Sequence, residues 1–483
     1  MWLGLDLGTG SAKAAIVSHK GAVVAEAAVG YEVRSAQPGW AETHPGHWWA
    51  AACRCVQALP AALRSDIQCI GLSGQMHGLV LVDASGRPLR PAVLWADSRA
   101  GAELAHYDAA LRARLANPPT PGMMGPLLLW LQRHEPELFA QARWALLPKD
   151  WLRLQLVGSA ASDPSDASGS LLADGRGQWD RSLMQALGLP PSLFPPVQAS
   201  AALAGRLQAR AASRLGLPVD IPVAVGAADT AAAALGSGLV DDGDAQLTVG
   251  SGAQIVVMRG AEPPASPRLN TYRAVDGPGL PGWYTMAAMQ NAGTALEWVR
   301  ALFGLSWAAF YDLAFASERP ASQAIFLPYL NGERTPWMNP EARGGWSGLA
   351  RSDTQGSLLH AALLGVAYSL RAGLDALRES GTPLRRLRLA GGGAVRPEWR
   401  QLLADVLGCE LQPSTLANAS ARGAALLGAQ AAGLLPTPLR ESRPPDALDE
   451  PPVRPQANHD AGYWRFRDTY LALHDAGGSL GGA

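Results

Sequence analysis

The stretch Ile221-Pro222-Val223-Ala224-Val225-Gly226-Ala227-Ala228-Asp229-Thr230 decides the fold class. Its first five residues read as a buried strand, and Thr230 to Leu235 as the opening turns of a helix of small residues. A carboxylate therefore stands where a strand ends and a helix begins. Only glycine and alanine precede it in the loop, which leaves room for a ligand. Locally, Asp229 is either the N-cap of that helix or the base of a site.

Working outward, Leu3-Gly4-Leu5-Asp6-Leu7-Gly8-Thr9-Gly10 places a second aspartate at a strand end before a glycine loop. Thr248-Val249-Gly250-Ser251-Gly252 repeats the hydroxyl–glycine chemistry. Both loops read as hairpin turns that open a domain, and they lie about half a chain apart. At 483 residues the chain exceeds the size at which one core stops growing. Strands interleaved with helices imply α/β layers. The expectation is two domains of related topology facing one another, each with a phosphate loop. Two carboxylates and two such loops suit a nucleoside triphosphate, a metal ion and a catalytic base.

Composition narrows the partners. The 48% hydrophobic and 17% charged fractions are globular values. A net charge of −1 without a basic block argues against nucleic acid. Lysine occurs only as Lys13, Lys20 and Lys149. Cys53, Cys55, Cys69 and Cys409 form no CxxC pair and lack zinc spacing, which predicts free thiols in a reduced cytoplasm. The N-terminus does not read as a signal peptide, and no run approaches eighteen apolar residues, so no membrane span is expected.

Local patterns give further expectations. The first hairpin returns through Lys13 to Val17. Thr43 reads as an N-cap before Pro45, with Trp49, Cys53 and Val56 on the core face of the helix. Ile67 to Ser73 reads as a strand running into Gly74-Gln75-Met76-His77-Gly78 and returning as Leu79 to Val82. Val93-Leu94-Trp95 reads as a short strand ending near Asp97 and Arg99. Pro263, Pro264, Pro267, Pro278 and Pro281 mark a loop excursion up to Gly282, and Ala287 to Phe303 reads as helix. Leu387 to Ala390 reads as a strand before Gly391-Gly392-Gly393, with a helix from about Glu398 to Leu407. A Pro-rich tail between Pro436 and Pro455 precedes a docking helix with Tyr463, Phe466, Tyr470 and Leu473 on one side.

Each chemical reading has a plainer alternative. Asp6, beside a loop of backbone N–H groups, can hold Mg²⁺ while those groups take phosphate oxygens; Asp-x-Gly-Thr can also be only a polar turn. Lys13 on the returning strand adds a compact positive charge, or is a solvated hairpin lysine. The loop Gln75-Met76-His77-Gly78 with Trp95, Asp97 and Arg99 mixes polar and apolar groups as a polyol or sugar requires. His77 alone reads equally as a satisfied loop histidine. Three glycines after a strand let a planar base approach the backbone, or make a turn.

Taken together these motifs resemble the FGGY carbohydrate kinases over roughly residues 2 to 430. The resemblance rests on Leu5-Asp6-Leu7-Gly8-Thr9 with Lys13, on the loop at 74–78, and on Leu94-Trp95-Ala96-Asp97-Ser98-Arg99. It also rests on Leu147-Pro148-Lys149-Asp150-Trp151-Leu152-Arg153, on the segment 161–169, on Phe326 to Pro336, and on the glycines at 391–393. It implies two actin-like, ribonuclease-H-like domains with ATP and sugar in the cleft between them. The implied boundaries are residues 1–238 (sugar side), 239–437 (nucleotide side) and 438–483 (tail and terminal helix). It implies Asp229 as the base, Asp6 acting through Mg²⁺, and Gln75, Met76, His77, Trp95, Asp97, Arg99 and Thr230 around the sugar. Gly8, Thr9, Lys13, Gly250, Ser251, Gly392 and Gly393 would hold the nucleotide.

The loop at 74–78 resembles the members that act on xylulose more than the glycerol kinases. The expected reaction is therefore ATP-dependent phosphorylation of D-xylulose to D-xylulose 5-phosphate in the cytoplasm, by a monomer or homodimer. Thr230, Ser251, Leu127 and Leu364 depart from the family pattern, where Asn, Thr, Lys and Glu are usual. The last two form an oppositely charged pair whose joint loss is nearly neutral if they normally touch. These departures keep open another ketose or polyol (ribulose, gluconate, an alditol), or a catalytically weak binding relative. A structural actin relative would leave the sugar-loop residues unexplained.

Overall fold

Two sheets carry the chain. The computed structural model describes residues 1–318, 322–435, 437–444 and 450–475. The first sheet contains β1 (Trp2–Leu7), β2 (Ser11–Val17), β3 (Val23–Gly30), β4 (Cys69–Gly74), β5 (Leu203–Arg206), β6 (Pro222–Ala224) and the two-residue β7 (Ala227–Ala228). Its order is β3-β2-β1-β4-β6-β5, with β7 paired to β4. The second contains β8 (Ala245–Val249), β9 (Ala253–Arg259), β10 (Asn270–Arg273), β11 (Trp283–Met289), β12 (Arg386–Ala390) and β13 (Glu410–Pro413), in the order β10-β11-β9-β8-β12-β13.

The two orders are one pattern used twice. In the first sheet β3, β2 and β1 are antiparallel neighbours, and β4 and β6 continue parallel to β1. In the second, β11, β9 and β8 repeat the antiparallel set, and β12 and β13 the parallel one. The duplicated topology expected from the two glycine loops is present, and each loop closes the hairpin between its sheet's first two strands.

Central strands are buried on both faces, so they lack the alternation of a half-exposed strand. All of β1 and all of β11 are buried. This corrects the reading of Ala287 onward as helix. Residues 287–289 finish β11, and the helix starts only at Gly293. A continuous apolar run of alanine and methionine fits either state, and period alone cannot separate them. Likewise the proline-marked excursion contains β10, a full member of the sheet.

Seven helices matter to the site and its support: α1 (Pro45–Gln57), α2 (Asp229–Gly236), α3 (Gly293–Leu302), α4 (Gln355–Glu379), α5 (Pro397–Leu407), α6 (Ala419–Ala431) and α7 (Asp460–Asp475). The cap of α1 is His44, whose Nδ1 accepts from Gly46 N at 3.1 Å; Thr43 belongs to a two-residue strand. Trp48, not Trp49, is the buried tryptophan of α1. The short strand before Asp97 covers only Ala92–Val93, leaving Trp95 in a turn. Helix α4 has the length and hydropathy of a membrane span, yet it is the central helix of the second core, burying Tyr368, Leu370, Leu374 and Leu377. Helix α7 docks by Tyr463, Phe466 and Tyr470, while Leu473 is exposed. Of the Pro-rich tail, positions 436 and 445–449 lie outside the described residues.

Sequence order and spatial order part company at α6. Although it follows the second sheet, it lies on the first. A Cβ at Gly4 would stand 1.7 Å from Ala421 O, and one at Gly71 would stand 1.6 Å from Ala424 O. Helix α6 also presses on α2, where a Cβ at Gly423 would stand 1.8 Å from Ala232 O. The buried Arg422 donates to Gly21 O and Gly236 O at 2.7 Å each. The boundary expected near residue 238 therefore divides the sequence, but not the packing.

Candidate active site

A cleft of about 760 Å³ opens between the ends of the two sheets. Asp6, Gly8, Lys13, Asp229 and Thr230 line one side, and Thr248, Gln254, Gly391 and Gly392 the other. Lys13, Asp6 and Ser73 lie side by side across β2, β1 and β4. Asp6 is buried, and its Oδ1 accepts from Ser73 Oγ at 2.7 Å.

Asp229 begins α2 instead of preceding it, so the N-cap alternative falls away; Ala228 holds that place. The turn before it needs glycine. Gly226 has φ +89°, and a Cβ there would stand 2.4 Å from Leu72 O. Thr230 N and Thr230 Oγ1 donate to Asp229 Oδ1 at 2.6 and 3.1 Å. The surrounding protein and the charge of Asp6 push the Asp229 carboxyl up to about 7, against the pull of Thr230 and Lys13. A carboxylate titrating near neutrality suits a general base.

A buried ion cluster supports this turn. Lys149 Nζ lies 2.6 Å from Asp150, 2.8 Å from Asp163 and 2.9 Å from Asp166. Arg153 pairs with Asp150 and donates to Val225 O at 2.7 Å, while Ser165 Oγ accepts from Ala228 N at 2.9 Å. Burial and the two neighbouring carboxylates push Asp166 well above the usual carboxylate range. Motifs 147–153 and 161–169 thus hold residues 225–228 in place.

The loop Gly8-Thr9-Gly10 is pinned by side chains. Tyr31 donates its hydroxyl to Gly8 O, Gln75 Nε2 donates to the same oxygen at 3.3 Å, and Trp95 Nε1 donates to Thr9 Oγ1 at 2.9 Å. Gln75 and Trp95 therefore hold the loop. His77 is buried with φ +74°, a backbone state that costs a non-glycine residue about 1–3 kcal/mol and clusters at functional sites. Burial lowers its pKa to about 4, so the ring is neutral. Its Nδ1 meets Gly169 O at 2.7 Å, which places the proton there and leaves Nε2 as an acceptor, 3.5 Å from Tyr272 OH. Tyr284 OH donates to Met76 Sδ at 3.4 Å.

Asp97 and Arg99 are committed to each other. Asp97 accepts from Arg99 Nε at 2.8 Å, Arg99 Nη2 at 2.7 Å and Ala41 N at 2.7 Å; Arg99 also pairs with Glu42 at 2.8 Å and stacks 3.5 Å above Trp40. With its lone pairs so used, Asp97 braces the turn at 95–99 against Ala41 instead of offering a free oxygen. Leu127 and Leu364 belong to the cores of different domains, so the charged pair expected from them is not one contact.

On the opposite side Gly250 and Ser251 are exposed, and their carbonyls accept from Gly293 N at 3.0 Å and Thr294 N at 2.9 Å, capping α3. Gly391 has φ +95°, and Gly392 lines the cleft; Gly393 sits beneath, donating to Val249 O at 3.0 Å. Among the described residues no group of three His, Cys, Asp or Glu side chains could hold a metal. The single carboxylate of Asp6 beside a glycine loop still fits Mg²⁺, an ion that keeps several waters and needs few protein ligands. Ser73, Tyr31, Tyr272 and Tyr284 escaped the sequence reading. The two last tyrosines come from strands read as loop or left unread.

The N-terminal domain of the FGGY family of carbohydrate kinases matches residues 1–236, and the family's C-terminal domain matches residues 248–432. The chain is 38% identical to a xylulose kinase of Escherichia coli (strain K12) over 464 residues, 92% of this chain and 95% of that protein. The crystal structure of a xyloylose kinase from Brucella ovis aligns with a TM-score of 0.90 at 35% identity, over 98% of this chain and 99% of that one. A xylulose kinase from Rhodospirillum rubrum aligns with a TM-score of 0.86 at 30% identity, over 98% of each chain. Two matched domains, a duplicated sheet and a cleft lined by Asp6 and Asp229 have one common account: the chain belongs to the FGGY family of carbohydrate kinases and is a sugar kinase.

Proposed function

We propose that the chain transfers the γ-phosphoryl group of ATP to the terminal hydroxyl of D-xylulose, giving D-xylulose 5-phosphate and ADP. The observation that carries this reading is Asp229, a carboxylate at about 7 on the wall of a cleft of nucleotide size. The xylulose kinases to which the chain is similar supply the choice of sugar. The sugar is held by Met76 and His77, beside Asp229 and Thr230. Its hydroxyl gives its proton to an Asp229 oxygen as the new O–P bond forms and the bond to ADP breaks. That proton then leaves to solvent.

Gly8, Thr9 and Lys13 face the phosphates, and Gly391 and Gly392 the nucleoside. Asp6 would hold Mg²⁺, which supplies charge neutralisation on the phosphates. Buried neutral thiols at Cys53, Cys55, Cys69 and Cys409 support a cytoplasmic setting. An ADP-release assay over pentuloses, hexuloses, gluconate and alditols tests the reading. D-xylulose should give the highest kcat/KM. A higher value for any other member rejects the choice of sugar, and no turnover with any rejects the catalytic reading.

A further inference from the structure

Arg334 carries a charge that the fold leaves unmatched. Its loop is tied to β11: Thr335 N donates to Ala288 O at 3.0 Å, and Thr335 Oγ1 accepts from Ala288 N at 3.2 Å. The adjacent carboxylate of Glu333 is spent elsewhere. It accepts from Gln290 N at 2.6 Å, Asn291 Nδ2 at 3.2 Å and the backbone N of Arg334 at 2.8 Å. Among the described residues the half-buried Arg334 guanidinium has no ion pair and no hydrogen bond.

Its loop borders the residues proposed above to hold the sugar. Ala288 shares one buried cluster with Met76, Ala228, Tyr272 and Tyr284. The charge of Arg334 is felt at His77, where it opposes protonation, and at Tyr272, where it eases ionisation. A half-buried cation without a protein partner is met by solvent in the ligand-free chain, so its donors are open to a ligand.

The donor pattern identifies the ligand atom. His77, with its proton on Nδ1, offers only the Nε2 acceptor, whose contact with Tyr272 OH is long at 3.5 Å and can give way to a sugar hydroxyl. Arginine offers five donors and no acceptor. On a neutral ketose the one oxygen that only accepts is the carbonyl. We propose that Arg334 is a sugar-positioning and specificity residue, donating from the second domain to the carbonyl oxygen of a bound ketose whose hydroxyl meets His77 across the cleft. This rests on the ketose reading above. It predicts that a pentitol is a poorer substrate, because its hydroxyl accepts from Arg334 only when its own proton turns away.

Arg334→Met and Arg334→Lys should be compared with the unaltered chain on D-xylulose and on xylitol and D-arabinitol, the two pentitols formed by reducing its carbonyl. Pentitols are scored as substrates or as competitive inhibitors. In Arg334→Met the KM for D-xylulose should rise about tenfold or more, the preference for ketose over pentitol should fall by a similar factor, and the KM for ATP should hold. Added guanidinium ion should restore part of the ketose activity to Arg334→Ala. An equal loss on ketose and pentitols, or an unchanged preference in a variant with native thermal unfolding, overturns the inference alone. If Arg334→Met fails to fold, an unchanged preference in Arg334→Lys likewise overturns it. An unaltered chain that prefers pentitols overturns the functional reading and this inference together.

Discussion

In the first sheet Asp6, Lys13 and Ser73 lie in register across three strands; in the second, Thr248, Gln254 and Ala390 occupy the matching places. Asp6, Lys13, Thr248, Gln254 and Ala390 all line the cleft. The same backbone thus presents a carboxylate and an ammonium from one side and neutral groups from the other. The loops differ in the same sense. Tyr31, Gln75 and Trp95 hold the first from its flanks, whereas backbone N–H groups at the start of α3 hold the second, donating to the carbonyls of Gly250 and Ser251. The duplication sets a glycine loop at the end of each sheet. Substitution within one copy places the ionisable groups on its strands, while the matching strand positions of the other are neutral; its nearest charges, Arg400 and Glu450, pair with each other.

The largest effect should come from the charged side. Asp229→Asn keeps the shape of the carboxylate but cannot accept the proton, and kcat should fall by about 10²- to 10⁴-fold with both KM values little changed. Turnover above about a third of the starting value would remove Asp229 from the role of base. Next is His77→Ala, which should weaken sugar binding by about 1–3 kcal/mol, the cost of leaving a buried group unpaired, with ATP affinity held. Calorimetric titration that finds equal losses of both ligands would make His77 a structural histidine.

The neutral side can be broken directly. Thr248→Asp places a carboxylate at the counterpart of Asp6, and like-charge repulsion should raise the KM for ATP about tenfold while sparing that for sugar. An unchanged KM for ATP would mean that the phosphates do not pass this strand. The smallest effect belongs to Trp95→Phe. It removes the bond to Thr9 Oγ1, worth about 0.5–1.5 kcal/mol, so the KM for ATP should rise a few-fold. A selective rise in the KM for sugar would instead put the indole against the sugar.

What could be read from the sequence was what neighbours in sequence decide. The turn at Gly226–Asp229 and the paired hairpins carry their own signals, because glycine must stand where φ is positive or where backbones approach. The unread parts depend on distant partners. Residues 287–289 look helical until β9 is known to flank them. Nothing local tells α6 to lie on the first sheet, since Gly4 and Gly71 find their purpose only against Ala421 and Ala424. The same holds for ion pairs. Asp97 and Arg99 have the spacing of ligand groups, and only the fold shows that they neutralise each other. Lys149 was noticed as one of three lysines, but its three carboxylates converge from two separate motifs.

The central claim is that the first domain holds Asp229 near neutrality, and thermal unfolding of the ligand-free chain tests it without metal or nucleotide. The Asp229 carboxyl stands at about 7 in the folded chain, against about 3.9 when unfolded. Between these values the folded state binds the extra proton, so this group's contribution is full below the lower value and is lost as pH rises through the upper one. Asp229→Asn has no such loss. The difference in Tm, variant minus unaltered chain, should be small at pH 5, grow through pH 6 and 7, and level off in favour of the variant by pH 8. A difference that stays constant from pH 5 to 8 would contradict the account.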